Sequence, residues 1–291
     1  MRPANLKTRI FLDGGDPRET RQAITLLGFL DGQTTNPTLI SKNPQASKRL
    51  DEGGQFSKEE IFEFYKSVVW QIHKLIPDGS ISVEVYADAK THAEEMFIQG
   101  RQMFSWIPNA HIKYPTNREG LEAAQKSIAE GLRVNMTLCF SQKQAAAVYG
   151  ATKGAQKGGV FVSPFVGRLD DIGINGMDLT KNIIRMYSSG DGHVEVLTAS
   201  IRNLDHFLYA LALGSDIITA PFKVLKEWAD NGMEIPDENY AYMAGNLNTI
   251  PYEQLDLEKN WQEFDIYHQL TEKGIEKFAN DWNSAVVKWD S

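Results

Sequence analysis

His111-Ile112-Lys113-Tyr114-Pro115-Thr116 is a short, β-prone stretch that carries one lysine between apolar neighbours. In a strand, successive side chains face opposite sides, so Lys113 points away from Ile112 and Tyr114. Pro115 ends the run, and Thr116 with Glu119 gives a capping-box signal for a helix directly after it. A lysine facing the inside of a closed sheet is costly to keep as an ammonium, and the free amine is a nucleophile for carbonyl carbon. A lone lysine is more often a surface residue on an edge strand, so the rest of the chain has to decide.

Working outward, the same unit recurs. Upstream, strands are predicted at Thr8–Leu12, Gly32–Pro37 and Ile81–Val85. Downstream they are predicted at Arg133–Leu138, Gly159–Pro164, His193–Thr198 and Asp216–Pro221. Helical patterns fall between them. Asp16, Pro17 and Glu19 open one, and Ser57-Lys58-Glu59-Glu60 opens another through Ile61, Phe64, Val68, Ile72 and Leu75. Ser41 to Gln55 is polar and glycine-rich and reads as loop. Eight strands alternating with eight helices, on short connections, predict an α/β fold: a (β/α)8 TIM barrel. An open doubly wound sheet is the alternative, but no G-x-G-x-x-G or Walker pattern follows a strand.

The tail reads differently. Trp261, Phe264, His268, Ile275, Phe278 and Trp282 recur at 3, 4 and 7 spacing, which predicts one long additional C-terminal amphipathic helix. It is expected to pack on the barrel wall, with contact to a second copy in a homo-oligomer as the rival. Met233 to Gln254 is a candidate to close over the barrel mouth. The organisation is therefore read as a catalytic barrel, 1–232, with a loop and helix, 233–291, in the same domain.

Composition sets the outer limits. The 291 residues are 42% hydrophobic and 23% charged, which suits a globular protein with a real core. A net charge of -8 argues against general nucleic-acid binding and against an anionic membrane surface. The single cysteine, Cys139, makes no internal disulfide and no metal cluster. Met1 to Ile10 has no apolar run of the signal-peptide kind, and no stretch is long enough to span a bilayer. A cytoplasmic enzyme without a cofactor is the expectation.

In such a barrel the site lies at the C-terminal strand ends. Those ends carry Asp13, Asn36, Glu84, Lys113, Asn135 with Thr137, Ser163, and Ser200 with Arg202. Each alone has a plain explanation: a turn residue, an Asn-Pro pair, a solvated strand residue. Together, an amine and carboxylates facing one interior are an unsatisfied set unless they form a site. An amine with two carboxylates and a hydroxyl suits Schiff-base carbonyl chemistry. The imine takes up electrons, one carboxylate accepts a hydroxyl proton as a C–C bond breaks, and another moves protons through water.

Six segments in order resemble the class I transaldolases: Thr34-Thr35-Asn36-Pro37, Val83-Glu84-Val85, Ile112-Lys113-Tyr114-Pro115-Thr116, Val134 to Ser141, Val162 to Arg168, and Ala199 to Asn203. The resemblance covers roughly residues 8–222. It implies a dihydroxyacetone transfer between sugar phosphates in the pentose phosphate pathway. Donors would be sedoheptulose 7-phosphate or fructose 6-phosphate, and acceptors glyceraldehyde 3-phosphate or erythrose 4-phosphate. Lys113 would form the Schiff base, Asp13 would be the acid/base, and Glu84 with Thr137 would hold the proton-relaying water. Asn36, Asn135 and Ser163 would bind substrate hydroxyls and the dihydroxyacetone part, and Arg168, Ser200 and Arg202 the phosphate. A fructose-6-phosphate aldolase using free dihydroxyacetone is the alternative. Members of that kind resemble one another in a glutamine and a tyrosine where this chain has Glu84 and Phe165. A catalytically silent sugar-phosphate-binding barrel is a third reading, and it would need a broken constellation.

Overall fold

A computed structural model describes residues 2–237 and 239–287; positions 1, 238 and 288–291 of the two predicted spans lie outside the described residues. The predicted apolar runs form β1 (Arg9–Asp13), β2 (Gly32–Thr34), β3 (Ser80–Glu84), β4 (Ala110–Pro115), β5 (Val134–Cys139), β6 (Val160–Pro164), β7 (Val194–Thr198) and β8 (Ile217–Ala220). They pair in chain order, all parallel, and β8 closes on β1. The helices are α1 (Pro17–Leu27), α2 (Pro37–Ser41), α3 (Pro44–Asp51), α4 (Lys58–Leu75), α5 (Ala93–Phe104), α6 (Arg118–Ala129), α7 (Gln142–Ala151), α8 (Val166–Asp170), α9 (Gly176–Tyr187), α10 (Leu204–Ala212), α11 (Phe222–Asp230) and α12 (Gln269–Ala285). The fold is the expected TIM barrel with a helix added after it.

Side-chain alternation divides each strand into an inner and an outer face. On β4, Ile112 and Tyr114 face the helices, and Tyr114 OH lies 2.9 Å from Ser127 Oγ on α6. His111 and Lys113 face inward, and His111 stacks on Phe161 of β6 at 4.1 Å. Phe11 of β1 meets the edge of the same ring at 6.2 Å, a contact that crosses the barrel between strands that do not pair. The aromatic layer fills the lower interior and closes it as a packed core. Above it the inner positions turn polar.

Local chemistry explains most of the helix starts. Ser57 and Glu60 form both halves of a capping box. Asp16 caps α1 and accepts from Arg18 N–H at 2.9 Å. The box expected from Thr116 and Glu119 does not form. Thr116 turns its hydroxyl to the Thr137 carbonyl at 2.7 Å, and Asn117 caps α6 instead, accepting from Gly120 N–H at 2.8 Å.

Four further expectations change. The stretch read as loop, 41–55, contains α3, a polar helix that buries only Ala46 and so shows no apolar period. β2 ends at Thr34, because Asn36 leaves the sheet to cap α2. The tail helix begins at Gln269 rather than Trp261; Trp261 lies in a separate 3-10 turn, buried beside α7. None of the described residues of 233–254 lines the cavity at the mouth; among them Tyr242 stacks on Tyr209 of α10 at 4.6 Å and Asn248 bridges to Ile174. The helix α12 crosses the mouth instead. Thr271 donates to the Leu138 carbonyl at 3.0 Å, Asp281 bonds Thr38 of α2, and Trp282 packs on Tyr65 of α4 at 6.0 Å. No helix among the described residues is long and apolar enough to cross a membrane.

Close approach sets the seat of α12. A Cβ on Gly274 would stand 2.6 Å from Leu138 Cδ2 and 3.1 Å from Arg168 Nη1. Leu138 is fully buried, at a positive φ of 57°, so its side chain would have to shift within the packed core. Gly274→Val is expected to lose about 1–3 kcal/mol to overpacking, more than the few tenths of a kcal/mol it gains in helix propensity. A urea unfolding curve that shows unchanged or higher stability would contradict this seat.

Candidate active site

The upper interior layer brings the amine and the carboxylates together. Glu84 and Lys113 are directly opposed in the β3–β4 register, and Lys113 is opposed to Asn135 across β4–β5. Lys113 Nζ stands 2.8 Å from Glu84 Oε2, with both side chains 4% exposed. It also donates to the Thr35 carbonyl at 2.9 Å. The Glu84 contact is an ion pair by distance, but Oε2 accepts no well-aligned hydrogen bond. Burial pushes the Glu84 carboxyl above its ordinary range, and the charge of Lys113 works against that shift.

Asp13 sits at the end of β1. Burial raises its carboxyl too, against the charge of Lys113 and a hydrogen bond from Thr34 Oγ1 at 2.7 Å. Thr34 also meets Thr219 of β8, 2.6 Å away; because the Thr34 hydroxyl donates to Asp13, it accepts from Thr219. Thr137 Oγ1 is buried without a partner among the described residues. Asn135 donates to Ser82 Oγ at 3.0 Å and accepts from Ser163 Oγ at 2.7 Å. Asn36 Oδ1 caps α2 by accepting from Leu39 N–H at 2.9 Å, which leaves its amide NH2 as the remaining donor.

A cavity of about 280 Å³ opens over this layer. Nine of the eleven residues expected from sequence line it: Asp13, Asn36, Lys113, Thr137, Ser163, Phe165, Arg168, Ser200 and Arg202. Glu84 and Asn135 do not; they stand behind the lining, against Lys113 and Ser163. The far end of the cavity is cationic. The Arg168 guanidinium lies 5.6 Å from the Phe165 ring and 5.4 Å from the Phe278 ring, with no carboxylate paired to it among the described residues. Burial and the neighbouring charge of Arg202 lower its pKa from the ordinary value. The plain alternative for Arg168, a salt bridge to Asp170 or Asp171, is not what forms. Asp170 pairs with His206 at 2.8 Å, and Asp171 with Arg202 at 2.6 Å. Ser200 holds a positive φ of 61°, the second non-glycine strand end in that region beside Leu138.

Sequence reasoning missed several lining residues. Thr34 and Thr219 are inward positions whose alternation was readable in principle. Lys277 and Phe278 come from α12, and no local signal says that the tail helix returns to the mouth. Lys277 pairs with Asp281 at 3.0 Å, so in sequence it reads as an ordinary i,i+4 surface pair.

Comparison with known proteins gives a consistent result. The family profile described as Transaldolase/Fructose-6-phosphate aldolase matches residues 10–288. A protein named "Probable transaldolase" from Dehalococcoides mccartyi is 36% identical over 276 residues, covering 95% of this chain and 98% of the relative. A protein of the same name from Herpetosiphon aurantiacus is 34% identical over 94% of both chains. A third, from Bdellovibrio bacteriovorus, is 33% identical over 96% of this chain and all of the relative.

A buried carboxylate with a raised pKa weighs against folding once it ionises. For Asp13 this penalty is complete above the folded-state pKa and fades as pH falls through it towards the unfolded value near 3.8. Asp13→Asn is therefore expected to raise the thermal midpoint at neutral pH, with the gain shrinking as the pH is lowered to about 4. A midpoint that falls at neutral pH would show that ionised Asp13 is net stabilising.

Proposed function

The chain belongs to the transaldolase/fructose-6-phosphate aldolase family, and we propose that within it this protein is a transaldolase working through a Schiff base on Lys113. The observation that carries the reading is the enclosed amine of Lys113, set against Glu84 at 2.8 Å and sharing one cavity with Asp13 and Arg168.

Lys113 Nζ passes a proton to Glu84, 2.8 Å away, and the amine so freed attacks the ketose carbonyl carbon. Protonation of the resulting hydroxyl releases water and leaves an iminium. Asp13 then takes the proton of the hydroxyl carried by the far carbon of the bond that breaks, and that carbon becomes the carbonyl of the leaving aldose. The electron pair of that bond moves onto the iminium to give an enamine, and an aldose phosphate leaves. The enamine carbon attacks the carbonyl of a second aldose phosphate, and Asp13 returns its proton to the new alkoxide. Water adds to the iminium and frees the amine. Glu84 and Thr137 are suited to hold that water: one offers a raised carboxyl, the other an unpaired hydroxyl. Asn36 offers an amide donor, and Ser163 with Asn135 a hydrogen-bonded pair, to substrate hydroxyls. Arg168, Ser200 and Arg202 line the end where a phosphate fits. The donors would be sedoheptulose 7-phosphate or fructose 6-phosphate, and the reaction would then belong to the pentose phosphate pathway.

The second reading, an aldolase acting with free dihydroxyacetone, would gain from a hydroxyl placed to deliver water to the iminium. Phe165 lines the cavity without one, so hydrolysis of the three-carbon intermediate would be slow and transfer favoured. Glu84, a carboxylate rather than an amide, points the same way.

Borohydride added with fructose 6-phosphate is expected to leave a three-carbon adduct on the peptide carrying Lys113, and none in Lys113→Met. An adduct on another lysine would remove the mechanism. Sugar turnover is expected to depend on an acceptor aldose phosphate, and Phe165→Tyr to gain cleavage without acceptor. If the parent protein cleaves equally well without acceptor, the aldolase reading takes its place.

A further inference from the structure

Beneath the lysine lies a hydroxyl with no part in the chemistry above. Tyr65 of α4 is fully buried under the ends of β2 and β3. Its oxygen accepts from Glu84 N–H at 2.9 Å and lies 2.6 Å from Thr35 Oγ1. The Thr35 hydroxyl donates to the Ser82 carbonyl at 2.8 Å, so towards Tyr65 it has to accept. Tyr65 therefore donates to Thr35 and accepts from Glu84, and its one proton is committed. Burial pushes its hydroxyl far above the ordinary range, so it keeps that proton at any working pH.

The two groups held by this phenol are the two that flank the amine. Thr35 presents its carbonyl to Lys113 Nζ at 2.9 Å, and Glu84 presents its carboxylate at 2.8 Å. A lysine has four rotatable side-chain bonds, and attack on carbonyl carbon needs the nitrogen at near-contact distance with its lone pair aligned. One hydrogen bond to the Thr35 carbonyl and one ion pair with Glu84 anchor Nζ, and the cavity that Lys113 lines is what remains open to it. The Tyr65 ring is itself clamped by Trp106 at 5.7 Å and by Trp282 of α12 at 6.0 Å.

We propose that Tyr65 is a positioning residue for the reactive amine: it fixes the Thr35 carbonyl and the Glu84 main chain, and through them the direction in which Lys113 Nζ is presented to substrate. This rests on the Schiff-base reading. A residue that acts on presentation moves the rate of imine formation and leaves substrate binding alone.

The experiment measures kcat, KM and the single-turnover rate of borohydride-trapped adduct with fructose 6-phosphate in Tyr65→Phe, Thr35→Val, Thr35→Ser and the Tyr65→Phe/Thr35→Val double variant. Tyr65→Phe and Thr35→Val are each expected to trap about tenfold more slowly at saturating substrate, with KM within about twofold of the parent. Thr35→Ser keeps the hydroxyl and is expected to keep the rate. The double variant is expected within about twofold of the slower single, because both changes break one chain of hydrogen bonds. A folded Tyr65→Phe that traps at the parent rate overturns the proposal, as do losses that multiply in the double variant or a KM that rises in step with the loss of kcat. If Tyr65→Phe does not fold, Thr35→Val against Thr35→Ser decides by the same criteria. No adduct in the parent protein would instead overturn the Schiff-base reading, and this proposal with it.

Discussion

The structure turns on one costly arrangement, an ammonium and a carboxylate held 2.8 Å apart inside a closed barrel. Taking two charges out of water costs several kcal/mol for each ion, and their attraction offsets this only with good geometry and further polar partners. The barrel supplies those partners in order. Thr35 gives Lys113 a carbonyl, Tyr65 ties Thr35 and the Glu84 main chain together, and Ser82 joins Thr35 to Asn135 and so to Ser163. The chain of hydrogen bonds crosses β2, β3, β5 and β6 under the cavity floor. Removing either member of the ion pair would leave an uncompensated buried charge, a change that typically costs about 3–5 kcal/mol. A barrel with no use for the pair would do better with apolar residues there, as it has immediately below with Phe11 and Phe161.

The same logic explains why α12 lies where it does. A layer of carboxyls with raised pKa values holds that shift only while water is kept back. The helix brings Phe278 to the cavity and Trp282 to the ring of Tyr65. It is fastened at both ends by polar bonds: Thr271 to Gln144 and the Leu138 carbonyl, and Asp281 to Thr38. Gly274 lets its backbone approach the end of β5. The lid is therefore continuous with the core. A change on α12 reaches the floor of the cavity through Trp282 and Tyr65.

Much of this was legible in the sequence, because period-two alternation is a strong constraint on a short strand. His111 to Pro115 could place Lys113 inward, and the polar residues at the other strand ends could be gathered on one rim. What escaped was set by contacts distant in sequence. α3 has no apolar face to reveal it, and the capping box at Thr116 was lost to a carbonyl on the neighbouring strand. The path of 233–254 depends on Tyr209 and Ile174, and the return of α12 to the mouth depends on Leu138 and Tyr65. Tyr65 itself reads as one more apolar-face residue of α4. Nothing in its local pattern says that its hydroxyl ends beneath a lysine.

Charge distribution supplies the last constraint. The chain carries a net charge of -8, yet the cavity is lined by Arg168, Arg202 and Lys277. Two of these cations are already balanced, Arg202 by Asp171 and Lys277 by Asp281, and both pairs are exposed enough for water to weaken them. Arg168 is different. It is more deeply set, it lies between two aromatic faces, and no carboxylate among the described residues pairs with it. Ring faces attract a guanidinium without using up its N–H donors in the ring plane. Phe165 and Phe278 can thus hold the fork in place while its donors stay free for an anion, which a salt bridge to Asp170 or Asp171 would not allow. Asp170 is drawn away by His206, and Asp171 by Arg202. The acidic neighbours of Arg168 are in this way kept off a cation that lines the cavity beside Arg202 and Lys277. An acidic protein can therefore offer a strong local anion site without being a general polyanion binder.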